Sequence, residues 1–162
     1  MVWNGRWWIT ALSLILSTLG TCLAYPSGAP GHACGDMLPS HRGSEQHNGT
    51  YSPYHLAQEK VAFQPNDVIL VTLYSESKNF MGFMVKALDA QDNPVGQFER
   101  SAVYKSLGRH CSAVTHVNKK PKTIVNMLWK APASTTGRVH FKATVVQNYR
   151  LFYRDVMSET KS

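Results

Sequence analysis

The chain has 162 residues, of which 43% are hydrophobic, and its formal net charge is +7 at pH 7. A chain of this length forms one domain of ordinary size, so it needs neither several domains nor a structural metal ion to bury a core. The basic balance favours anionic ligands, such as sulfated glycans, lipopolysaccharide or anionic lipid headgroups, although solubility alone would also account for it.

The first 24 residues have the composition of a secretory leader. Arg6 is their only charged residue, and the apolar run Ala11–Leu16 is followed by Thr21–Ala24, with small residues before a cleavage point. The alternative is a membrane anchor, but the run is shorter than the roughly 20 apolar residues that span a bilayer. We therefore expect a signal peptide at 1–24 and a secreted, extracellular chain that begins at Tyr25, without membrane insertion. Removal of 24 of the 162 residues leaves 138, and the net charge falls from +7 to +6.

The chain contains three cysteines, and Cys22 would leave with the leader. Cys34 and Cys111 then remain as an even pair in an oxidising compartment, for which one disulfide is the default. The alternative is two free thiols. Before Cys34, the segment Tyr25–Gly31 contains prolines and glycines that exclude a helix and predict an extended, turning entry to the domain.

The polar stretch from Ser40 to Ser52 predicts an exposed loop, and residues 35–55 as a whole are expected to lack regular structure. Within the stretch, Asn48-Gly49-Thr50 is a sequon for N-glycosylation in a chain that we expect to be exported. We therefore expect Asn48 to carry a glycan.

From Gln58 onward, short runs rich in β-branched and aromatic residues alternate with turn signals. The clearest run is residues 138–147, typical of a strand with one buried face. Its apolar residues Val139, Phe141, Ala143 and Val145 are expected to point inward, and Arg138, His140, Lys142 and Thr144 outward. About eight short strands separated by turns are typical of a two-sheet sandwich. The predicted strands are Lys60–Phe63, Val68–Tyr74, Phe80–Leu88, Val95–Phe98, Ser112–Val117, Thr123–Trp129, Arg138–Gln147 and Tyr149–Val156.

The predicted fold is therefore an all-β, immunoglobulin-like antiparallel β-sandwich with one disulfide. The domain is expected to span residues 25–157, followed by a polar, frayed tail at 158–162. The residues predicted to face the core are Phe63, Ile69, Val71, Phe83, Val85, Phe98, Ile124, Trp129 and Phe141.

Five short motifs resemble, in the same order, those of the reeler (reelin N-terminal-like) domain family. They are the proline-rich opening Tyr25–Cys34, the Gly-Phe segment Gly82–Ala87, the short run Val95–Phe98, the Cys-x-x-x-Thr-His motif Cys111–His116, and the C-terminal stretch Trp129–Val146. Each motif is short, but their order and their coverage of almost the whole chain after residue 24 make the resemblance specific.

The resemblance implies an immunoglobulin-like sandwich, a Cys34–Cys111 disulfide and a secreted role in innate immunity. A lone reeler domain behind a signal peptide is similar to the small secreted arthropod defense proteins of the noduler type. Those relatives imply binding to microbial surface components, such as lipopolysaccharide or β-glucan, with agglutination or haemocyte nodulation as the consequence. Reeler domains also occur in matrix proteins and in ferric-chelate reductase relatives, but we find no thrombospondin repeat, haem module or transmembrane bundle in this sequence.

The sequence contains no arrangement that indicates catalysis. Its seven histidines show no zinc-type pairing, and only His41 and His47, which flank a loop, suggest a casual metal contact. No serine lies in a G-x-S-x-G motif, and there is no glycine-rich phosphate loop. We expect a monomeric binding protein that has no enzymatic activity and needs no metal or cofactor.

Two groups of cations are candidates for binding an anionic ligand. Lys119, Lys120 and Lys122 form a compact basic turn, and Arg138 and Lys142 lie on the polar face of the same predicted strand. If the sheet brings the two groups together, phosphates or sulfates would fit the patch, although such residues are often simply solvated. The alternative function is an extracellular matrix or adhesion module that binds sulfated glycans such as heparin; no specific nucleic-acid partner is expected.

Overall fold

The structure is a computed structural model that describes residues 25–160, so the predicted signal peptide lies outside the described residues. Those residues form twelve strands and two short 3-10 turns, at Gly31–Cys34 and Gly49–Tyr51, and no α-helix. The strands are β1 (Glu45–Asn48), β2 (Tyr54–Gln58), β3 (Ala62–Phe63), β4 (Val68–Ser75), β5 (Gly82–Leu88), β6 (Gln97–Phe98), β7 (Tyr104–Ser106), β8 (Ala113–His116), β9 (Ile124–Lys130), β10 (Gly137–Arg138), β11 (His140–Asn148) and β12 (Leu151–Thr160). The all-β class predicted from the sequence is confirmed.

Strand β12 connects two groups of strands. Its first part pairs antiparallel with β11, and its last three residues pair parallel with β2. On one side, which we call the A half, the order is β11-β5-β8-β7; on the other, the B half, it is β2-β4-β9-β6. The register of the β11 pairing shifts at Asp155, whose φ of 58° interrupts the regular extended backbone, and that pairing continues to Met157.

The main core follows the alternation of the strands. The predicted inward residues Phe141, Ala143 and Val145 of β11 are all buried, as is Val139 just before the strand. Thr144, predicted to point outward, is also buried, because the N-terminal segment covers this face of the A half.

The prediction that Ile124 faces the core is wrong. It is 59% exposed, whereas Val125, Met127 and Trp129 of the same strand are buried. Side chains alternate between the two faces of a strand, so Ile124 and Trp129, five positions apart, cannot both face the core of a regular strand.

Residues 35–55, expected to be irregular, contain strand β1 and the start of β2. All four residues of β1 are exposed, and the strand is held by parallel pairing with β12 through the backbone. Such a strand has no apolar alternation, so the sequence contained no period from which to predict it.

The end of the chain also differs from the expectation of a frayed tail at 158–162. Ser158, Glu159 and Thr160 belong to β12 and pair with β2, and residues 161 and 162 lie outside the described residues. The hydroxyl of Ser158 donates to Oε1 of Gln58 and accepts from the backbone amide of Phe141 at 2.8 Å. These contacts connect the C-terminal end of β12 to both halves of the sheet.

Candidate functional site

The N-terminal segment, residues 25–41, lies across the outer face of the A half. It turns at Gly28, whose φ of +103° is favourable only for glycine, and the Gly28 amide donates to the Tyr25 carbonyl at 3.2 Å. A Cβ at Gly28 would lie 2.2 Å from the backbone oxygen of His116. The glycine therefore allows the segment to approach strand β8 closely.

The Thr-His motif holds this segment in place. The Thr115 hydroxyl accepts from the amide of Ala29 at 3.0 Å and donates to the carbonyl of Phe83 at 2.7 Å. The ring of His116 accepts from the Phe83 amide through Nδ1 at 3.2 Å. The motif residues thus connect the segment to β5 and β8, which gives them a structural role.

The disulfide predicted between Cys34 and Cys111 is present, with 5.6 Å between the two Cα atoms. The Cys34 carbonyl also accepts a hydrogen bond from Nζ of Lys86 at 3.0 Å. A second, smaller apolar cluster surrounds the bridge on the outer face of the A half; it comprises Ala33, Met37, Met84, Cys111 and Ala113. Burial lowers the pKa of Lys86, and the charge of Lys142 nearby lowers it further.

Between the segment and the A half lies an apolar cavity of about 380 Å³. This volume is within the range of small-molecule sites, roughly 300–1,000 Å³. Its walls are formed mainly by prolines, methionines and other apolar residues, including Pro26, Met37, Met81, Phe83, Met84 and Val146.

The side chains that line the cavity include two histidines, His41 and His116, and one lysine, Lys119. Burial lowers the pKa of His116, and the charges of Lys122 and Lys105 lower it further, against opposing hydrogen bonds to backbone groups. Burial likewise lowers the pKa of His41, which stacks on Tyr149 with ring centroids 4.7 Å apart. Both imidazoles are therefore neutral at pH 7, and Lys119 is the cation that lines the cavity.

The predicted basic turn lies beside this cavity. Lys119 and Lys120 are exposed, whereas Lys122 is half-buried and burial lowers its pKa. Its Nζ donates to the carbonyls of Lys120, Asn118 and Met81 at 2.6, 2.8 and 3.2 Å. Lys122 therefore closes its own turn, and only the first two lysines are available to a ligand.

The structure does not bring the two groups of cations together. The turn adjoins the Gly82 end of β5, because Lys122 bridges to Phe80, whereas His140 pairs with Leu88 at the other end. Six residues of strand separate these ends by roughly 20 Å. Arg138 lies beyond His140 in β10, so the predicted patch is divided.

The cations of the strand have partners of their own. Lys142 forms an ion pair with Asp155 at 2.6 Å, and Nε2 of His140 lies within hydrogen-bond distance of a carboxylate oxygen of Asp92, at 3.0 Å. Lys142 is about one-third exposed, so this pair contributes little to stability but occupies the ammonium group.

Asn48, the predicted glycosylation site, is exposed at the end of β1. Its side-chain Oδ1 accepts from both the backbone amide and the hydroxyl of Thr50, each at 3.0 Å. The sequon is thus folded into a tight local turn on the surface.

Within residues 25–160, no three histidine, cysteine or acidic side chains lie close enough to hold a metal ion. The same part of the chain contains no helix with the length and apolar character needed to cross a membrane. His41 and His47, the suggested metal contacts, make separate contacts instead: His41 with Tyr149 and His47 with Tyr153, at 5.4 Å between ring centroids.

The sequence did not predict the cavity. Apolar residues in the irregular segment, such as Ala33 and Met37, were the available signal, because a loop that only faces water has no need of them. Met84, on the face of β5 opposite Phe83 and Val85, was a second signal, since it makes that strand apolar on both faces.

Comparison with known proteins gives relatives of two kinds. The Drosophila melanogaster protein named "Defense protein l(2)34Fc" is 35% identical, over 82% of this chain and 87% of its own length. Mouse "Ferric-chelate reductase 1" is 32% identical over 91% of this chain, but the match spans only 26% of the reductase. This chain therefore corresponds to about a quarter of that relative.

A solved structure and a family profile give the same assignment as these relatives. The crystal structure of the Reelin-N domain of F-spondin superimposes with a TM-score of 0.57 and 25% identity, covering 73% of this chain and 86% of the other. The profile of the Reeler domain matches residues 32–161, which include the disulfide, both halves of the sheet and most of the cavity. The disulfide and the Thr-His motif, both identified in the sequence, anchor the N-terminal segment, and the protein belongs to the Reeler domain family.

Proposed function

We propose that this protein is a secreted defense protein of innate immunity that binds anionic components of microbial surfaces and does not act as an enzyme. The observation that carries the proposal is the likeness to the Drosophila defense protein, which extends over 87% of that protein's length. The likeness to the mouse reductase extends over 26% of its length, so it supports a shared domain more than a shared activity.

We infer that the two halves of the sheet face each other as an immunoglobulin-like sandwich. Aromatic contacts between the halves support this: Phe141 of β11 lies 5.9 Å from both Trp129 of β9 and Phe98 of β6, measured between ring centroids. Two packed sheets are separated by about 10 Å. A crystal structure of the protein would contradict the inference if the halves formed a continuous barrel around the core.

The basic turn is the surface that we propose for the anionic ligand. Lys119 and Lys120 are exposed, and among residues 25–160 neither forms an ion pair with an acidic side chain. Phosphates of a microbial glycolipid would form charge-assisted hydrogen bonds with such ammonium groups. Binding of this kind is largely electrostatic and weakens as salt screens the charges.

Replacement of Lys119 and Lys120 together by serine is expected to weaken binding to lipopolysaccharide roughly fivefold at physiological salt. The melting temperature should change little, because exposed lysines contribute little to folding. The measurement is equilibrium binding of the purified protein to immobilised lipopolysaccharide at two salt concentrations. The matched control is Arg100→Ser with Lys130→Ser, an equal loss of exposed charge at residues that do not adjoin the cavity.

Two results would contradict this proposal. Equal binding by the parent and the Lys119/Lys120 variant would exclude the basic turn as the contact. Displacement of the protein from lipopolysaccharide by heparin at low concentration, with no displacement by lipid A, would favour the alternative of a matrix or adhesion module that binds sulfated glycans.

Secretion and modification of Asn48 can be tested together. The full chain, expressed in a eukaryotic host, should appear in the medium with Tyr25 as its first residue and should lose mass on treatment with a peptide N-glycosidase. Asn48→Gln should remove the mass change, and Thr50→Ala should do the same because the sequon requires the hydroxyl. Retention in the cell, or an untreated mass equal to that of the bare polypeptide, would show that these expectations are wrong.

A further inference from the structure

The apolar cavity is closed on its inner side by side chains that are almost wholly buried. Ala33 and Met37 of the N-terminal segment are each 5% exposed, and Met84 of β5 is 4% exposed. Three of the lining residues are methionines, Met37, Met81 and Met84. Methionine side chains are flexible and polarisable, so they adapt to the surface of an apolar ligand.

The polar groups deep in the cavity are already engaged by the protein. Thr115 is 0% exposed, and its hydroxyl is used by Ala29 and Phe83. The Nδ1 atom of His116 is bonded to Phe83. A polar ligand would lose its hydrogen bonds to water here without gaining hydrogen bonds to the protein, whereas an apolar chain has no such hydrogen bonds to lose. The interior therefore favours a hydrocarbon.

The size of the cavity favours a single chain. A methylene group is similar in size to a water molecule, whose share of liquid volume is about 30 Å³. The volume of about 380 Å³ therefore holds on the order of a dozen chain carbons. A ligand with several acyl chains would not fit within it.

The edge of the cavity favours a negative headgroup. Lys119 lines the cavity and is exposed, and no aspartate or glutamate among residues 25–160 lines it. His41 also lines it, and burial lowers the pKa of its imidazole against a hydrogen bond to the backbone of Tyr149. A carboxylate at the edge would meet one cation, and it would meet no like charge.

We propose that the cavity between the N-terminal segment and the A half binds one long-chain fatty acid, with its hydrocarbon chain against Met37, Met84 and Val146 and its carboxylate at the edge near Lys119. This site goes beyond the recognition of microbial surfaces proposed above and does not depend on it. A fatty acid fits because its single chain matches the volume and its single charge matches the edge.

The test is calorimetric titration of the protein, expressed from the full chain, with sodium dodecanoate below its micellar concentration. Dodecyltrimethylammonium, with the same chain and the opposite charge, and butyrate, with the same head and a short chain, are the comparison ligands. Dodecanoate is expected to bind with 1:1 stoichiometry and at least about tenfold more tightly than either, since each lacks one of the two matched features.

Two pairs of variants locate the site. Val146→Trp fills the cavity and should weaken dodecanoate binding more than about tenfold, whereas Val68→Trp, the same substitution at an exposed position of β4 outside the cavity, should not change it. Lys119→Glu should weaken binding roughly fivefold, whereas Lys120→Glu, the same change at the neighbouring residue outside the cavity, should have a smaller effect. If Val146→Trp fails to fold, Met81→Trp replaces it.

The proposal is overturned if dodecanoate does not bind, if the cationic amphiphile binds equally well, or if a folded cavity-filling variant binds as the parent does. A stable dimer that dodecanoate does not dissociate would also overturn it, because a second copy would then be the occupant. Failure of the parent protein to bind lipopolysaccharide, with intact dodecanoate binding, would contradict the proposed function and leave this site unaffected.

Discussion

Removal of the disulfide by Cys34→Ala is expected to lower the free energy of unfolding by up to about 4.5 kcal/mol, from the entropy of closing a loop of this length. The bridge joins cysteines 77 residues apart in sequence and fixes the N-terminal segment to the A half. Cys111 is 0% exposed, so alanine is a better replacement there than serine, whose hydroxyl would be buried without a partner. The measurement is denaturant unfolding at equilibrium.

The double variant Cys34→Ala/Cys111→Ala provides the control for this prediction. It should lose about as much stability as either single variant, since each already removes the whole cross-link. Dodecanoate binding should fall in all three, because the segment that covers the cavity is no longer fixed to the A half. Labelling of both cysteines by iodoacetamide in the native, unreduced protein would show that the bond does not form.

Replacement of Trp129 by alanine is expected to destabilise the protein by about 3–5 kcal/mol, as is typical for large aromatic residues in a core. The side chain is 0% exposed and lies between Phe63 and Phe141, with ring centroids 5.3 and 5.9 Å away. Its Nε1 donates to the carbonyl of Val95 at 2.9 Å, so the substitution also leaves a buried acceptor without its donor.

Two variants of the same strand test this explanation. Ile124→Ala, at the exposed residue of β9 first predicted to be in the core, should change stability by no more than about 0.5 kcal/mol. Trp129→Phe keeps most of the volume and should cost less than Trp129→Ala. Equal melting temperatures for Trp129→Ala and the parent would mean that the packing described for β9 is wrong.

The contact of Trp129 also explains why two of the motifs occur together. Gly96 has a φ of +63°, and a Cβ there would lie 2.3 Å from the indole ring. The short run Val95–Phe98 therefore supplies both the carbonyl that accepts from the indole and the glycine that lets the ring approach. Like the Thr-His motif, these residues have a structural role in packing. The motifs by themselves therefore do not identify a ligand site.

The sequence predictions fail where the residues that contact each other lie far apart in the sequence. Strands with a clear apolar alternation, such as β11, and a long β-branched run, such as β4, were predicted within a residue or two. Strand β1 was missed because its four exposed residues are held by backbone pairing with β12, about a hundred residues later. The prediction of a frayed tail is wrong for the same reason, since the pairing of residues 158–160 with β2 is not visible in their composition.

The sequence by itself determined the all-β class, the cysteine pair and the family, because alternation, cysteine count and short motifs are properties of local order. Tertiary structure alone decided where the chemistry lies. Pairing of Phe80 with Lys122 and of Leu88 with His140 separates the two groups of cations, and hydrogen bonds to its own turn occupy Lys122. The cavity exists because residues 25–41 fold back over strands that follow much later in the chain, and such register and coverage depend on contacts between distant segments.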